Sequence, residues 1–297
     1  MRSLSLIPSF DLRVIYGPLA ISYLCAELSQ ASSMRAKKSY GQHFLTNESY
    51  AQRIADALQL LDQYDQVLEV GPGKGMLTKY LLDRDFHLKV VEADPDMVLF
   101  LRANYPNLAA EDIIAANFLR VPLEEHFSGP FAIIGNYPYN ISSQILIKTI
   151  DYRQQVPEMA GMFQKEVADR VVAGPGSKTY GVIGVLVQAF YETEYLFSVG
   201  PGNFNPPPKV KSAVIRLVRR SEPIVDETLW PVFRQVVKLS FGQRRKMLRN
   251  SLKSLLSAEE LQSKTYQLRP EQIELEQFVE IAQAVTAFRK GNKETEN

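Results

Sequence analysis

The sequence predicts an α/β domain with a largely parallel sheet, followed by a small helical domain, and three observations carry that expectation. From Tyr40 onward, segments with helical apolar periodicity alternate with short apolar runs, the pattern of strand–helix units laid side by side in one sheet. One of those runs ends in Gly71-Pro72-Gly73-Lys74-Gly75, a turn that suits the passage from a buried strand into a helix. After Arg220 the character changes: Ser221-Glu222-Pro223 reads as a linker, and the remainder has helical spacing with few strand signals. A chain of 297 residues accommodates one sizeable core and an appendage. The expected divisions are an N-terminal extension at 1–33, the α/β domain at 34–220, and the helical segment with a frayed polar tail at 221–297.

Each element follows from local signals. Asn47 is placed to cap a helix running to about residue 60. Residues 66–70 read as a buried strand, and the glycine-rich turn leads into a helix through Leu82. A second strand at 88–91 ends at Glu92, and Asp94 can cap the helix after it. Residues 132–134 form another short strand, broken by Gly135-Asn136-Tyr137-Pro138-Tyr139, and residues 141–150 are helical in spacing. Later strands are expected at 195–199 and 213–218, separated by the turn-rich segment 200–208.

Composition narrows the class without naming a partner. With 34 basic and 33 acidic side chains the formal charge is only +1, so overall charge does not announce a nucleic acid. Its distribution says more. Between residues 234 and 253 stand Arg234, Lys238, Arg244, Arg245, Lys246, Arg249 and Lys253 with no Asp or Glu, a local positive surface on which a polyanion can dock. A solvated helix face is the plainer reading of any charge run, and steep weakening by salt is what separates the two. Lys209 and Lys211 can extend the same surface.

The single cysteine, Cys25, forbids an intramolecular disulfide and favours a reducing compartment, here the cytoplasm. His43, His87 and His126 are scattered without ligand-spaced neighbours, so no metal is expected. No run approaches the roughly 18–20 apolar residues of a membrane span, and Pro8, Asp11, Arg13 and Pro18 interrupt the apolar stretch near the start. Met34, followed by Arg35-Ala36-Lys37-Lys38, is read as the natural start, which N-terminal sequencing of protein from the native gene would test.

Two motifs carry chemistry. The first is strand–GPGKG–helix with Glu92 lying 21 positions beyond Gly71 at the tip of the next strand. In a doubly wound sheet such glycines admit a nucleoside cofactor close to the backbone, and an acidic residue about twenty positions on accepts bonds from the ribose hydroxyls. A dinucleotide fingerprint would require glycine where Met76 stands, whereas S-adenosylmethionine, with no pyrophosphate to cradle, does not. The second is Asn136-Tyr137-Pro138-Tyr139 at a strand end. The lone pair of an adenine amine is delocalised into the ring. Acceptors at its N–H bonds, the Asn136 side-chain oxygen and the Tyr137 carbonyl, favour the pyramidal form that attacks carbon. Pro138 stiffens the loop, and Tyr139 can stack on an extruded base. In isolation each motif would be an ordinary turn; in this order they support one another.

The ordered runs Gly41-Gln42-His43-Phe44-Leu45, Leu68-Glu69-Val70-Gly71-Pro72-Gly73, Gly135-Asn136-Tyr137-Pro138-Tyr139-Asn140-Ile141-Ser142-Ser143, Phe204-Asn205-Pro206-Pro207-Pro208-Lys209-Val210 and Gln243-Arg244-Arg245-Lys246 resemble the KsgA/RsmA family of ribosomal RNA adenine dimethyltransferases over roughly residues 35 to 290. The resemblance implies a Rossmann-like S-adenosylmethionine-dependent methyltransferase domain at 34–220 and an RNA-binding helical domain at 221–297. It implies S-adenosyl-L-methionine contacts at His43, Leu45, Gly71, Gly73, Glu92, Asn117 and Asn136, and chemistry at Asn136, Tyr137, Pro138 and Tyr139. The acid-free basic run and its extension, rather than the resemblance, supply the expected RNA contacts: Lys209, Lys211, Arg244, Arg245, Lys246 and Arg249. The implied substrate is a pair of adjacent adenosines near the 3′ end of 16S rRNA, each methylated twice during small-subunit biogenesis; a monomer is the simplest expectation for the chain. At position 117, before Phe118-Leu119, the family usually has Asp and this chain has Asn117, whose oxygen can still accept from an adenine amine. Two other readings share some of these features. A DNA adenine-N6 methyltransferase needs the same amine chemistry but usually a groove-reading module as well. A non-catalytic assembly factor would keep the fold without the reaction, and Asn117 is its best support.

Overall fold

A buried carboxylate decides how the first described helix ends. The structure is a computed structural model that describes Lys37 and residues 40–295, with side chains as far as Gly291; the expected extension at 1–33 and the proposed start at Met34 lie outside the described residues. Strand β1 (Phe44–Leu45) leads to helix α1 (Glu48–Ala55), which Asn47 caps by accepting the Ser49 N–H at 3.1 Å. The helix stops at Ala55 instead of running on toward residue 60. Glu158, fully buried on a distant strand, accepts the N–H groups of Gln59 and Leu60 and the hydroxyl of Tyr64, and so holds this stretch as a loop. The acceptor is about a hundred positions away in sequence, so no local pattern reveals it.

The central sheet is built from β2 (Gln66–Val70), β3 (His87–Glu92), β4 (Ile113–Ala115), β5 (Phe131–Asn136), β6 (Glu158–Gln164), β7 (Tyr191–Val199) and, after the short β8 (Phe204–Asn205), β9 (Ser212–Arg219). The strand order is β4-β3-β2-β5-β6-β9-β7, and only β9 runs against its neighbours. The expectation of a largely parallel sheet is met. Helices α2 (Thr78–Leu81), α3 (Pro95–Asn104), α4 (Ser142–Asp151), α5 (Lys165–Val172) and α6 (Val182–Gln188) provide the crossovers. Asp94 caps α3 as expected, accepting the Asp96 N–H at 3.1 Å, with Pro95 in the first turn.

The central strands β2 and β5 are buried on both faces. Leu68, Val70, Phe131 and Ile133 enter one apolar layer, and their strand neighbours Val67, Ala132 and Ile134 enter the other. Strand order reverses between β2 and β5, which places a crevice beyond the carboxyl ends of those two strands. The glycine turn and the Asn136 tetrapeptide both stand there.

Beyond Arg220 come α7 (Trp230–Gly242), α8 (Leu248–Ser251) and α9 (Leu275–Thr295), with single 3-10 turns between the last two. Phe233, Val236 and Val237 of α7 and Phe278, Ile281 and Val285 of α9 belong to the same apolar cluster as Phe190 and Tyr191 at the start of β7. The described residues from Tyr40 onward form one compact unit. Among the described residues no helix is long and apolar enough to cross a membrane, and no group of three potential metal ligands converges.

Candidate active site

Three chain segments meet at the crevice. The turn after β2 is pinned from behind by Tyr105, whose hydroxyl donates to the carbonyls of Gly75 at 2.8 Å and Lys74 at 3.1 Å. Gly75 has φ +74°, and a Cβ there would overlap the Tyr105 ring, so only glycine closes this turn. At the front, Glu92 ends β3 with its carboxylate almost wholly buried, accepting the N–H of Gly73 at 3.1 Å and of Asp94 at 2.8 Å. Burial raises the Glu92 carboxyl above its ordinary range, and the backbone bonds from Asp94 and Gly73 act against that rise. Each carboxylate oxygen keeps a further lone pair, so the group can accept hydroxyl donors while it braces the turn.

The second segment is β1 and the residues before it. The ring of Phe44 lies against Gly73, where a Cβ would stand 2.9 Å from it, and Gln42 donates to Asp94 at 2.9 Å. Leu45 is buried and pairs with Phe204 of β8, which ties the early segment to the proline-rich loop. His43 is held in the same way: its Nδ1 lies 2.8 Å from the carbonyl of Pro206.

The third segment is the tetrapeptide leaving β5. The Asn136 amide nitrogen donates to the His43 carbonyl at 3.1 Å, while among the described residues nothing donates to its oxygen. Tyr137 is fully buried. Its hydroxyl donates to the Ala160 carbonyl at 2.8 Å, and its ring packs on Phe163 with centroids 4.6 Å apart. Its ring is therefore a structural anchor, and what it can offer a substrate is its backbone carbonyl. Tyr139 is half-buried, stacked on His43 at 5.3 Å between centroids. Asn117, at the end of β4, caps a 3-10 turn by accepting the Leu119 N–H at 3.0 Å.

These segments enclose a cavity of about 410 Å³ whose wall includes His43, Leu45, Gly71, Gly73, Glu92, Asn117, Asn136, Tyr137, Pro138 and Tyr139, every residue the sequence assigned to cofactor or chemistry. The volume is within the range of small-molecule sites. The fit to S-adenosylmethionine is chemical as well: a buried carboxylate for hydroxyls at one strand tip, a capping amide at the next, and an amide oxygen at the third.

The basic residues fall elsewhere. Lys209, Lys211, Arg245, Lys246 and Arg249 are exposed. Arg244 is half-buried, donating to the Ser177 carbonyl at 3.2 Å with Glu271 3.9 Å away, so it braces the α5–α6 loop against the segment before α9.

The site also depends on residues to which the sequence assigns no role, Gly135 and Glu69 within the motif runs and Gly161 outside them. Gly135 and Gly161 are register partners on β5 and β6, and the Tyr137 ring lies over them: a Cβ on Gly161 would collide with both that ring and the Gly135 carbonyl. The isolated glycine inside an apolar run was the available signal for Gly161. Glu69, buried beneath the turn, accepts the Thr78 hydroxyl at 2.6 Å, and burial pushes its carboxyl up to about 8.

A seven-stranded sheet with β9 reversed, a glycine turn at the switch point and a buried acid ending the next strand together define a Rossmann-like domain whose crevice suits a nucleoside cofactor. The family model described as ribosomal RNA adenine dimethylase matches residues 33–289, and the chain belongs to that family. Among its relatives, ribosomal RNA small subunit methyltransferase A of Flavobacterium johnsoniae is 49% identical over 259 residues, covering 86% of this chain and 97% of the relative. The protein of the same description from Parabacteroides distasonis is 52% identical over 252 residues, covering 84% and 93%. A dimethyladenosine transferase from Plasmodium falciparum shares the fold at TM-score 0.69 and 21% identity, over 84% of this chain and 98% of that one. The 23S rRNA methyltransferase ErmE does so at TM-score 0.60 and 26% identity, over 81% and 99%. The chain is thus an S-adenosylmethionine-dependent rRNA adenine dimethylase, and the DNA-directed alternative falls away.

Proposed function

We propose that the enzyme transfers methyl groups to N6 of two adjacent adenosines near the 3′ end of 16S rRNA, each twice, in the assembling small subunit, acting as a cytoplasmic monomer. The description shared by the two relatives named above supports the choice of subunit. The observation that carries the chemistry is the fixed amide of Asn136. Because its nitrogen donates to the His43 carbonyl, its oxygen is the atom left to accept. That oxygen and the Tyr137 carbonyl take the two N–H bonds of the target amine and localise its lone pair.

The bound cofactor supplies a methyl group already activated on a sulfonium. What remains for the protein is positioning: Pro138 restricts the loop, and the ring of Tyr139 offers the extruded base a stacking surface. After one transfer the amine keeps a single N–H, so the second methylation proceeds with one of the two acceptors. We assign His43, Leu45, Gly71, Gly73, Glu92 and Asn117 to the cofactor side, and Lys209, Lys211, Arg245, Lys246 and Arg249 to RNA phosphates, with the segment from residue 221 as the RNA-binding part. Their exposure supports the latter role; the internal bonds of Arg244 give it a bracing one.

The test is transfer of labelled methyl groups from S-adenosylmethionine to small subunits lacking these modifications, followed by nucleoside analysis. N6,N6-dimethyladenosine should appear and should be lost with Asn136→Ala. Tight, salt-sensitive subunit binding without transfer would instead favour the assembly-factor reading.

A further inference from the structure

Ser212 begins β9 and is fully buried. It is paired on both sides, with Gln164 at the end of β6 and with Val199 at the end of β7, so its position is set by the sheet itself. Because β9 runs against its neighbours, its first residue stands at the sheet edge where the parallel strands finish, the edge that carries the active site. Its hydroxyl is hydrogen-bonded to the Tyr139 hydroxyl at 2.5 Å. Tyr139 is less firmly placed by its own backbone, since it opens a single 3-10 turn at residues 139–141 whose N-terminal side has no side-chain cap.

The ring of Tyr139 is thus held at two points. One face rests on His43, which is itself tied to the Pro206 carbonyl, and the hydroxyl end is fastened to Ser212. A tyrosine side chain has two torsions, and a stacked neighbour together with a fixed hydroxyl partner removes the freedom of both. The face not covered by His43 is the one left for a base. Burial raises the Tyr139 phenol above its ordinary range, so it stays protonated and hydrogen-bonding through neutral pH.

We infer that Ser212 is a positioning residue for base methylation: through the Tyr139 hydroxyl it locks the stacking ring in the plane that receives the target adenine. The inference rests on the base-stacking role proposed for Tyr139 above. Ser212 is not part of the cavity wall, so it acts on the base only through Tyr139 and leaves the cofactor untouched.

The experiment is a double-mutant cycle with Ser212→Ala, Tyr139→Phe and the pair, measured as methyl transfer to undermethylated small subunits, with the KM for S-adenosylmethionine determined in parallel. Losing one neutral hydrogen bond that orders the ring should lower kcat/KM for subunits about tenfold in each single variant. The double variant should be no worse than either single, since all three lack the same contact. The KM for S-adenosylmethionine should stay at the wild-type value. Losses that multiply in the double variant, full activity in either single variant, or a raised cofactor KM in Ser212→Ala would each overturn the inference. Should Ser212→Ala fail to fold, Tyr139→Phe at its half-buried position tests the same contact, and undiminished activity there refutes it. Failure of the proposed function itself reads differently, as absence of transfer by the wild-type enzyme.

Discussion

Replacing Asn117 with aspartate should tighten cofactor binding, and the size of the effect follows from one hydrogen bond. The Asn117 oxygen already accepts the Leu119 N–H at 3.0 Å, which fixes the amide so that its nitrogen is the free atom. An adenine N6 amine arriving there is a donor and meets a donor, or must share the capped oxygen at a poorer angle. In the Asn117→Asp variant one carboxylate oxygen keeps the cap while the other accepts the amine, and the negative charge also suits the start of a 3-10 turn. A charge-assisted bond contributes about 1.5–3 kcal/mol where it is buried, but position 117 is exposed. About 1 kcal/mol is the reasonable share, or roughly fivefold in Kd. Calorimetric titration of wild type, Asn117→Asp and Asn117→Ala with S-adenosylhomocysteine measures this directly, and Asn117→Ala should weaken binding because it loses the cap that shapes the turn. Equal affinity in all three proteins would show that position 117 does not touch the cofactor.

Four further perturbations have defined outcomes. Glu69 is raised to about 8 by burial, so the folded state holds a proton that the unfolded state has released by neutral pH. Stability from this group is therefore full below about pH 4.5 and is lost as pH climbs through 8. Glu69→Gln should flatten that decline, and parallel Tm-versus-pH curves for variant and wild type between about pH 6 and 9 would show that Glu69 is ionised in the fold. Gly161→Ala forces a methyl against the Gly135 carbonyl and the Tyr137 ring, and should cost about 2–3 kcal/mol in urea denaturation; an unchanged midpoint would mean that the strands part freely. Replacing Arg245, Lys246 and Arg249 by Gln should reduce the slope of log K against log salt for RNA by about 2–3. Arg244→Gln should instead lower stability with little change in slope, because its guanidinium is bound to Ser177.

The sequence determined by itself everything that depends on short-range pattern. Residues 66–70 alternate into two apolar layers, Asn47 and Asp94 precede helices with the side chains that cap them, and the glycine turn and Asn136 tetrapeptide follow strand ends, so five of the strands, both caps and the cavity-lining residues are legible, while the short strands at Phe44–Leu45, Ile113–Ala115 and Phe204–Asn205 are not. The tertiary structure shows β6, which begins at Glu158 and is interrupted by Gly161; an isolated glycine in an apolar run signals a close approach, but its partners, Gly135 with Tyr137, and those of Glu158, the loop at 59–64, are far away in sequence. The same holds for the reach of α1, for the separate role of Arg244 among its basic neighbours, and for the bond between Tyr139 and Ser212. Periodicity and capping are properties of a few consecutive residues and survive in a one-dimensional reading. A buried polar atom finds its partner wherever the fold brings one within about 3 Å, and that distance is set by the packing of the whole sheet.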